Sequence, residues 1–297
     1  MTSSTPDAAH ARVAVVTVSF GSSAVLGGFL ESVAAASIAP PLVVVADNKP
    51  TPPNDVAELT ALAGATYLPQ ESNRGYGGGI NAAVAGLAPS IDWVLISNPD
   101  VVLHDGMIDA LLARGDSDPR IGAVGPAIYT PTGELYPSAR TVPSLRTGVG
   151  HALFANIWLD NPWTRAYRND NAGSANGRDA GWLSGACLLV RRSAFDEIGG
   201  FDPGFFMYFE DVDLGYRLGK AGYRSVYEPL SGATHSGAHS TTEDSAAMVR
   251  AHHDSARRFL GKKYAGPLLW PVRVALGISL SIRSAIVRRT VKQSHHH

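Results

Sequence analysis

Carboxylates recur at three places where chemistry on a phosphorylated substrate would use them. They are Asp47 in Ala46-Asp47-Asn48, Asp100 in Asn98-Pro99-Asp100, and the acids of Phe209-Glu210-Asp211-Val212-Asp213. The first two follow runs of β-branched residues, and the third opens a predicted helix. In an open α/β sheet, strand C-terminal ends and helix starts meet at one crevice, where ligands bind. Carboxylates gathered there repel one another unless a cation, a proton or a ligand compensates. A divalent metal with a diphosphate is the economical answer, which implies an enzyme that handles an activated sugar.

Each feature also has a plainer explanation. Asp47 could accept hydrogen bonds from a ribose or a pyrimidine N–H, or form an Asx turn. Oxygen ligands at Asn98-Pro99-Asp100 suit Mg²⁺ or Mn²⁺, which keep water and phosphate oxygens as other ligands; the same tripeptide is a common turn. Acids in a first helical turn satisfy free N–H groups and the helix dipole. Three acids in four residues exceed that need, and the preceding aromatics Phe205, Phe206, Tyr208 and Phe209 would raise the pKa of one of them toward that of a usable base. His235, followed by His239 in a Gly/Ser loop, is either a metal ligand or a structural residue. His252 and His253 are expected on a solvated helix face. Cys187 is the single cysteine. It excludes an intramolecular disulfide framework and a Cys-based zinc site, and its apolar flanks predict a small buried hydrophobe.

The stretch Asn73-Arg74-Gly75-Tyr76-Gly77-Gly78-Gly79-Ile80-Asn81 is rich in glycine. Glycines let backbone approach a phosphate, and a helix start attracts anions; a flexible turn is the alternative. The spacing is not that of a dinucleotide fingerprint, which belongs directly after the first strand. No Gly-Lys-Ser or Gly-Lys-Thr follows, so a P-loop is absent as well. NAD chemistry and ATP hydrolysis are both disfavoured.

The elements that must carry these residues alternate. Strands are predicted at 13–20, 42–46, 65–68 and 93–97, and helices at 25–36, 55–63, 80–86 and 107–113, with a turn at 75–79. That rhythm predicts a parallel, doubly wound sheet. It changes after residues 121–125. Residues 129–179 read as a loop-rich insertion, partly disordered near 169–177. Order returns with a strand-like run at 182–190, helices at 192–198 and 211–221, a strand at 224–227, and a helix at 245–259 with a basic end. At 297 residues and a net charge of −1, the chain can bury a large core and is not a general nucleic-acid binder. Residues 1–12 lack the basic start and apolar run of a signal peptide. The tail 268–291 is apolar but carries Arg273, Arg283, Arg288 and Arg289, and the stretch 266–282 is too interrupted to span a bilayer comfortably. Trp270 and the flanking Lys262, Lys263, Arg283, Arg288 and Arg289 suit an interfacial helix on anionic lipid; a dimerisation or core-packing helix is the alternative. His295, His296 and His297 resemble a tag remnant.

Taken in order, these pieces resemble family 2 glycosyltransferases. The resemblance covers roughly residues 12–259. It is carried by the strand Val15-Val16-Thr17-Val18-Ser19-Phe20, Ala46-Asp47-Asn48, the 73–81 stretch, Leu95-Ile96-Ser97-Asn98-Pro99-Asp100, Trp182-Leu183-Ser184-Gly185-Ala186, Gly199-Gly200-Phe201-Asp202, residues 206–214 and His235. Each piece is weak alone, and their joint order is specific. The Asn-Pro-Asp variant and the 206–214 segment are most similar to bacterial rhamnosyltransferases. The resemblance implies an α/β GT-A fold, a Rossmann-like, mostly parallel sheet flanked by helices, with a C-terminal helical appendage. Its expected divisions are a flexible N-terminus (1–11), a catalytic domain (12–260) with a nucleotide-binding half (12–128) and an acceptor half (129–260), an amphipathic membrane-proximal tail (261–292) and the remnant at 293–297.

The resemblance also assigns roles. Asp47 would hold the pyrimidine base or ribose, with Ser19, Asn48, Asn73, Arg74, Gly75, Asn81 and Asn98 completing the nucleotide-sugar site. Asp100 takes the place of the last acid of the family's D-x-D motif and would bind Mg²⁺ or Mn²⁺ together with His235. Asn98 stands where that motif has its first acid, so one anionic ligand is lost. Trp182, Ser184, Gly185 and Tyr208 would line the acceptor pocket. Asp211 would be the catalytic base, supported by Glu210 and Asp213. The implied reaction is inverting transfer of L-rhamnose from dTDP-rhamnose to a polyprenyl-diphosphate-linked N-acetylglucosamine in cell-wall linker synthesis. The implied location is the cytoplasmic face of the plasma membrane, held peripherally. Transfer from UDP-galactofuranose and a non-catalytic glycan- or membrane-binding scaffold are the rival readings. Self-association stays open.

Overall fold

The computed structural model describes residues 11–144, 177–237, 245–271 and 274. The expectations for residues 1–10, for most of the 129–179 insertion including 169–176, for His239, and for most of the tail and the remnant lie outside the described residues.

One sheet organises the chain, in the order β3-β2-β1-β4-β11-β6-β12-β5. Its first half is parallel: β1 (Val13–Ser19) lies between β2 (Leu42–Asp47) and β4 (Trp93–Ser97), and β3 (Thr66–Pro69) forms the edge. The second half is mixed. β11 (Cys187–Arg191) runs antiparallel to both β4 and β6 (Ile121–Tyr129), while β12 (Arg224–His235) is parallel to β6. The parallel pairing read from the alternation over residues 13–113 holds as far as β4, and the sheet beyond it is mixed. β11 enters the sheet in the opposite sense to both of its neighbours.

Side chains of β1 alternate between two cores, as strand geometry requires. Val13 and Val15 join Leu26, Phe29, Val56, Ile108 and Leu111 on one face. Those helical residues come from α1 (Ser23–Ala35), α2 (Asp55–Leu62) and α4 (Met107–Asp116). Ala14, Val16 and Val18 join Ile80, Val84, Phe195, Leu214 and Leu218 on the other. That layer is α3 (Gly75–Ala85), α5 (Arg192–Glu197) and α6 (Glu210–Lys220).

Several boundaries differ from the sequence reading. The glycines at 75–79 are not a turn before a helix; they are the first turns of α3 itself. Glycine is a poor helix former in isolation, but here tertiary packing decides. A Cβ on Gly77 would lie 2.8 Å from Phe201 Cβ, and one on Gly79 would lie 2.8 Å from Val18 Cγ2. The short strand β5 (Val101–Leu103), pairing with the end of β12, was not foreseen. The insertion, expected to be loop, contributes β7 (Leu135–Tyr136), β8 (Ala139–Arg140) and β9 (Arg178–Ala180) within the described residues; β8 pairs with β10 (Trp182–Leu183). β12 is far longer than 224–227, because a bulge between Glu228 and Gly232 lets it continue to His235.

The last long helix, α7 (Ser245–Lys263), continues across the division drawn at 260/261. Phe259 is fully buried against Phe205 and Val212. Ser255 Oγ donates to the Met207 carbonyl at 2.8 Å, and the His252 ring meets Tyr208 and Phe209 edge-on. His252 is thus not simply a solvated residue: one edge braces the segment before α6.

Gly77→Val should destabilise the fold by about 1–3 kcal/mol through overpacking against Phe201. A urea midpoint equal to that of the unaltered chain would refute the close-packing account of the glycine run.

Candidate active site

The site is built on one tight turn between β10 and β11. Ser184 O accepts from Cys187 N at 3.3 Å, which folds the turn, and Asn98 N donates to Ala186 O at 2.9 Å, which ties it to the end of β4. Gly185 N donates to Asp211 Oδ2 at 2.9 Å. Consecutive residues of this turn thus join the Asn98-Pro99-Asp100 segment to the acidic helix. The Tyr76 hydroxyl closes the same corner, donating to Gly185 O at 2.7 Å.

Asp211 also accepts from Val212 N at 2.8 Å. Burial raises its pKa, opposed by the N–H bonds from Gly185 and Val212 and by the charge of Arg140. Glu210 beside it is pushed up to about 8, by burial first and then by the charge of Asp211. Its Oε2 is buried without a hydrogen-bond partner. Two carboxyls side by side in a dry site cannot both ionise cheaply. The Tyr76 hydroxyl is raised well above its ordinary value by burial, then by the charges of Glu210, Cys187, Asp211 and Asp100. Tyr76 and Asp211 therefore meet at Gly185, whose neighbour Ala186 holds Asn98.

The acidic helix reaches this point through strained backbone. Tyr208 and Phe209 hold φ of 67° and 64°, a left-handed region costly for bulky residues. Gly75, at φ +74°, lies against this segment, and a Cβ there would collide with the Phe206 carbonyl. Asp213 points elsewhere. It is fully buried and bonded to Arg217 Nε and to Lys262 Nζ, each at 2.6 Å. Lys262 also reaches Asp202 at 2.7 Å. Asp213 therefore fastens α6 to α7 and to the Asp202 turn rather than facing Asp211.

Asp100 and His235 meet where β5 and β12 pair. His235 Nε2 lies 3.1 Å from Asp100 Oδ1 and 3.4 Å from Asn98 Nδ2. Burial works to raise the Asp100 pKa, but the hydrogen bond and charge of His235, with backbone N–H groups, outweigh it and hold it low. Among the described residues no cluster of three or more His, Cys, Asp or Glu stands ready for a metal. Two donors each about 2.1 Å from one octahedral cation, at a right angle, stand about 3.0 Å apart. The Asp100–His235 spacing fits that, with water and phosphate oxygens filling the other positions.

The nucleotide-side residues cluster at the ends of β1 and β2. Asp47 is fully buried and accepts from Tyr67 Oη at 2.9 Å and from Lys49 N at 3.0 Å, so the Asx turn is real. Asn48 Nδ2 donates to Gly75 O at 3.0 Å, while its Oδ1 is buried without a partner. Ser19 Oγ accepts from Ser22 N at 3.4 Å, and Asn73 Oδ1 from Gly75 N at 2.9 Å. Arg74 is exposed at the start of α3. The Asn81 amide clamps Phe201, donating to the carbonyl at 2.8 Å and accepting from the N–H at 2.9 Å. Trp182 Nε1 donates to Thr141 O at 3.1 Å, and Ser184 N to Ser138 O at 2.7 Å. Tyr208 packs toward His252 of α7. Cys187 is buried, its thiol pushed up to about 12 by burial, as expected of an inert hydrophobe.

Two site residues were missed. Tyr76 sits inside the glycine stretch, where no local pattern marks its hydroxyl for a role. Arg140 lies in the insertion with no local pattern around it.

Helices cover both faces of the sheet, and acids and a histidine gather at its strand ends. Residues 10–253 match the family "Glycosyltransferase like family 2", and the chain belongs to that family. It is a glycosyltransferase. It is 44% identical over 290 residues, 94% of each chain, to the N-acetylglucosaminyl-diphospho-decaprenol L-rhamnosyltransferase of Mycobacterium tuberculosis strain H37Rv. Over 82 residues, 28% of this chain and 31% of the other, it is 42% identical to rhamnosyltransferase WbbL of Escherichia coli K12. The mannosyltransferase PcManGT of Pyrobaculum calidifontis, solved with GDP-Man and Mn²⁺, superposes with a TM-score of 0.58 at 17% identity, over 97% of this chain and 75% of that one. The GT-A fold expected from sequence is the fold found.

The raised Glu210 pKa has a thermodynamic consequence. An acid that keeps its proton when folded but loses it when unfolded favours the folded state fully below its ordinary value of 4.5. That contribution is lost as pH rises toward about 8. Glu210→Gln should therefore flatten the fall in urea-derived stability across this window, leaving only the part due to Asp211. Parallel curves for the two proteins would exclude a neutral, buried Glu210.

Proposed function

We propose that this glycosyltransferase moves L-rhamnose from dTDP-rhamnose to the N-acetylglucosamine of a polyprenyl-diphosphate acceptor, with inversion at the anomeric carbon, in cell-wall linker assembly. The observation that carries the chemistry is Asp211, pinned by the Val212 N–H of its own helix and by the Gly185 N–H of the turn that also ties down Asn98. The choice of sugar and acceptor is supported by the 44% identity, over 94% of both chains, to a rhamnosyltransferase of that acceptor class.

In this reading residues 12–128 hold the donor and residues 129–260 the acceptor. Asp47, Asn48, Ser19 and the Asn73-Arg74-Gly75 start of α3 surround the nucleotide. The buried, unpartnered Asn48 Oδ1 awaits a donor such as a base or ribose N–H or O–H. Trp182, Ser184, Gly185 and Tyr208 border the acceptor. Asp211 takes the proton of the acceptor hydroxyl, which attacks the sugar carbon on the face opposite the diphosphate. Its raised pKa makes it a stronger base than an exposed carboxylate, and its two N–H bonds fix the direction of proton transfer. Asp100 and His235 would hold Mg²⁺ or Mn²⁺, which when bound neutralises charge on the leaving diphosphate.

Peripheral membrane association at the cytoplasmic face completes the reading. Leu268 and Trp270 are 91% and 60% exposed just beyond Lys262 and Lys263. Among the described residues no helix is long and apolar enough to cross a membrane.

Transfer assays with dTDP-rhamnose and N-acetylglucosaminyl-diphospho-polyprenol should give an inverted linkage, stop with EDTA and resume with Mn²⁺ or Mg²⁺. Asp211→Asn should lower kcat by about 10²–10⁴ with the donor KM little changed. Turnover with UDP-galactofuranose instead, or an active Asp211→Asn, would overturn the assignment. In liposome flotation, a chain ending before Pro267 should lose binding to anionic vesicles. Undiminished binding would remove the tail from the account.

A further inference from the structure

Near Asp211 lies a cation, Arg140, that pairs with no carboxylate among the described residues. Arg140 ends β8, directly opposite Trp182 in the β8–β10 register. Its guanidinium stands 5.9 Å from the ring centroids of both Tyr136 and Trp182. Its Nε donates to Pro137 O at 2.9 Å. Among the described residues no carboxylate pairs with it, and neither Nη group donates to the protein. A guanidinium is permanently charged and offers a planar fork of donors that suits phosphate oxygens. Aromatic faces hold such a group in place without neutralising it.

The order of contacts along the 182–186 segment gives this cation its meaning. Trp182 neighbours Arg140, Gly185 holds Asp211, and Ala186 accepts from Asn98. The Asp211 carboxylate thus lies between Arg140 and the Asp100–His235 pair along this segment. Trp182 and Gly185 are separated by at most about 10 Å of extended chain. The charge of Arg140 is felt at Asp211, which supports the short reach. In the proposed reaction the donor diphosphate lies with Asp100 and His235. An acceptor sugar whose hydroxyl meets Asp211 carries its own diphosphate at the far side of one pyranose ring.

We infer that Arg140 anchors the diphosphate of the lipid-linked acceptor, an assignment that rests on the acceptor class proposed above. The two free Nη groups bind phosphate oxygens, and the Tyr136 and Trp182 rings keep the fork aimed before the acceptor arrives. This contact sets the distance from the acceptor's anomeric phosphate to Asp211, so it selects acceptors with a charged link over neutral glycosides.

The test is calorimetric binding of farnesyl diphosphate to the full-length chain, with the donor site filled by saturating dTDP and Mg²⁺. Arg140→Gln should raise the Kd tenfold or more, Arg140→Lys should recover part of the loss, and farnesol should bind all three proteins alike. Arg140→Lys keeps the charge and guards against a misfolded glutamine variant, whose melting curve is measured alongside. Absence of binding to the unaltered protein, or equal affinities across the three, overturns the inference. A residue that merely tunes Asp211 would shift the pH profile of kcat and leave the farnesyl diphosphate affinity unchanged, which also overturns it. The probe carries no sugar, so discovery of a different donor sugar would count against the rhamnosyl reading alone.

Discussion

Everything at this site depends on the hydrogen bond from the Gly185 N–H to the Asp211 carboxylate. It joins a helix that begins in strained backbone to a turn in the middle of the sheet, across 26 residues of sequence. A charged acceptor makes such a bond roughly twice as strong as a neutral one. It also opposes, without cancelling, the burial that drives this acid toward its neutral form. The same turn receives the Asn98 N–H. One short stretch therefore sets the spacing between a carboxylate on one element and an Asp–His pair on two others.

The acidic helix is held from behind as firmly as from the front. Asp213 is fully buried, and Arg217 and Lys262 both meet it. A buried charge is tolerable when it is paired and fully hydrogen-bonded, and removing one partner is far more costly than the pair is stabilising. Lys262 belongs to α7, which also packs Phe259 and His252 against the segment before α6. The left-handed Tyr208 and Phe209 thus lie between two fixed elements, which is how strain of this kind persists. α7 therefore meets the helix that carries Asp211 directly.

Much of this was legible beforehand. The alternation of β-branched runs with helical spacing located β1, β2 and β4, because a central strand buried on both faces must be apolar throughout. The acids at 47, 100 and 210–213 were found because charge at a strand end or helix start has few structural reasons to be so dense. Asp213 shows the limit of that logic: its density signalled function, yet its partners, Arg217 and Lys262, lie four and 49 residues away and make it structural. Asn81, which the resemblance placed in the nucleotide-sugar site, has its amide bonded to the backbone of Phe201.

The sequence by itself determined the family, the fold class and the set of candidate acids, because those follow from local pattern and from the order of motifs along the chain. Tertiary structure alone decided which of the acids face one another and that the glycine run is helical. It also brought Tyr76 and Arg140 to the site and reversed β11 within the sheet. The physical reason is the same in each case. Glycine in a helix, a lone arginine and a tyrosine among glycines have no local preference strong enough to fix their role. What fixes it is close packing against Phe201, Val18, Trp182 and Gly185, residues far away in sequence.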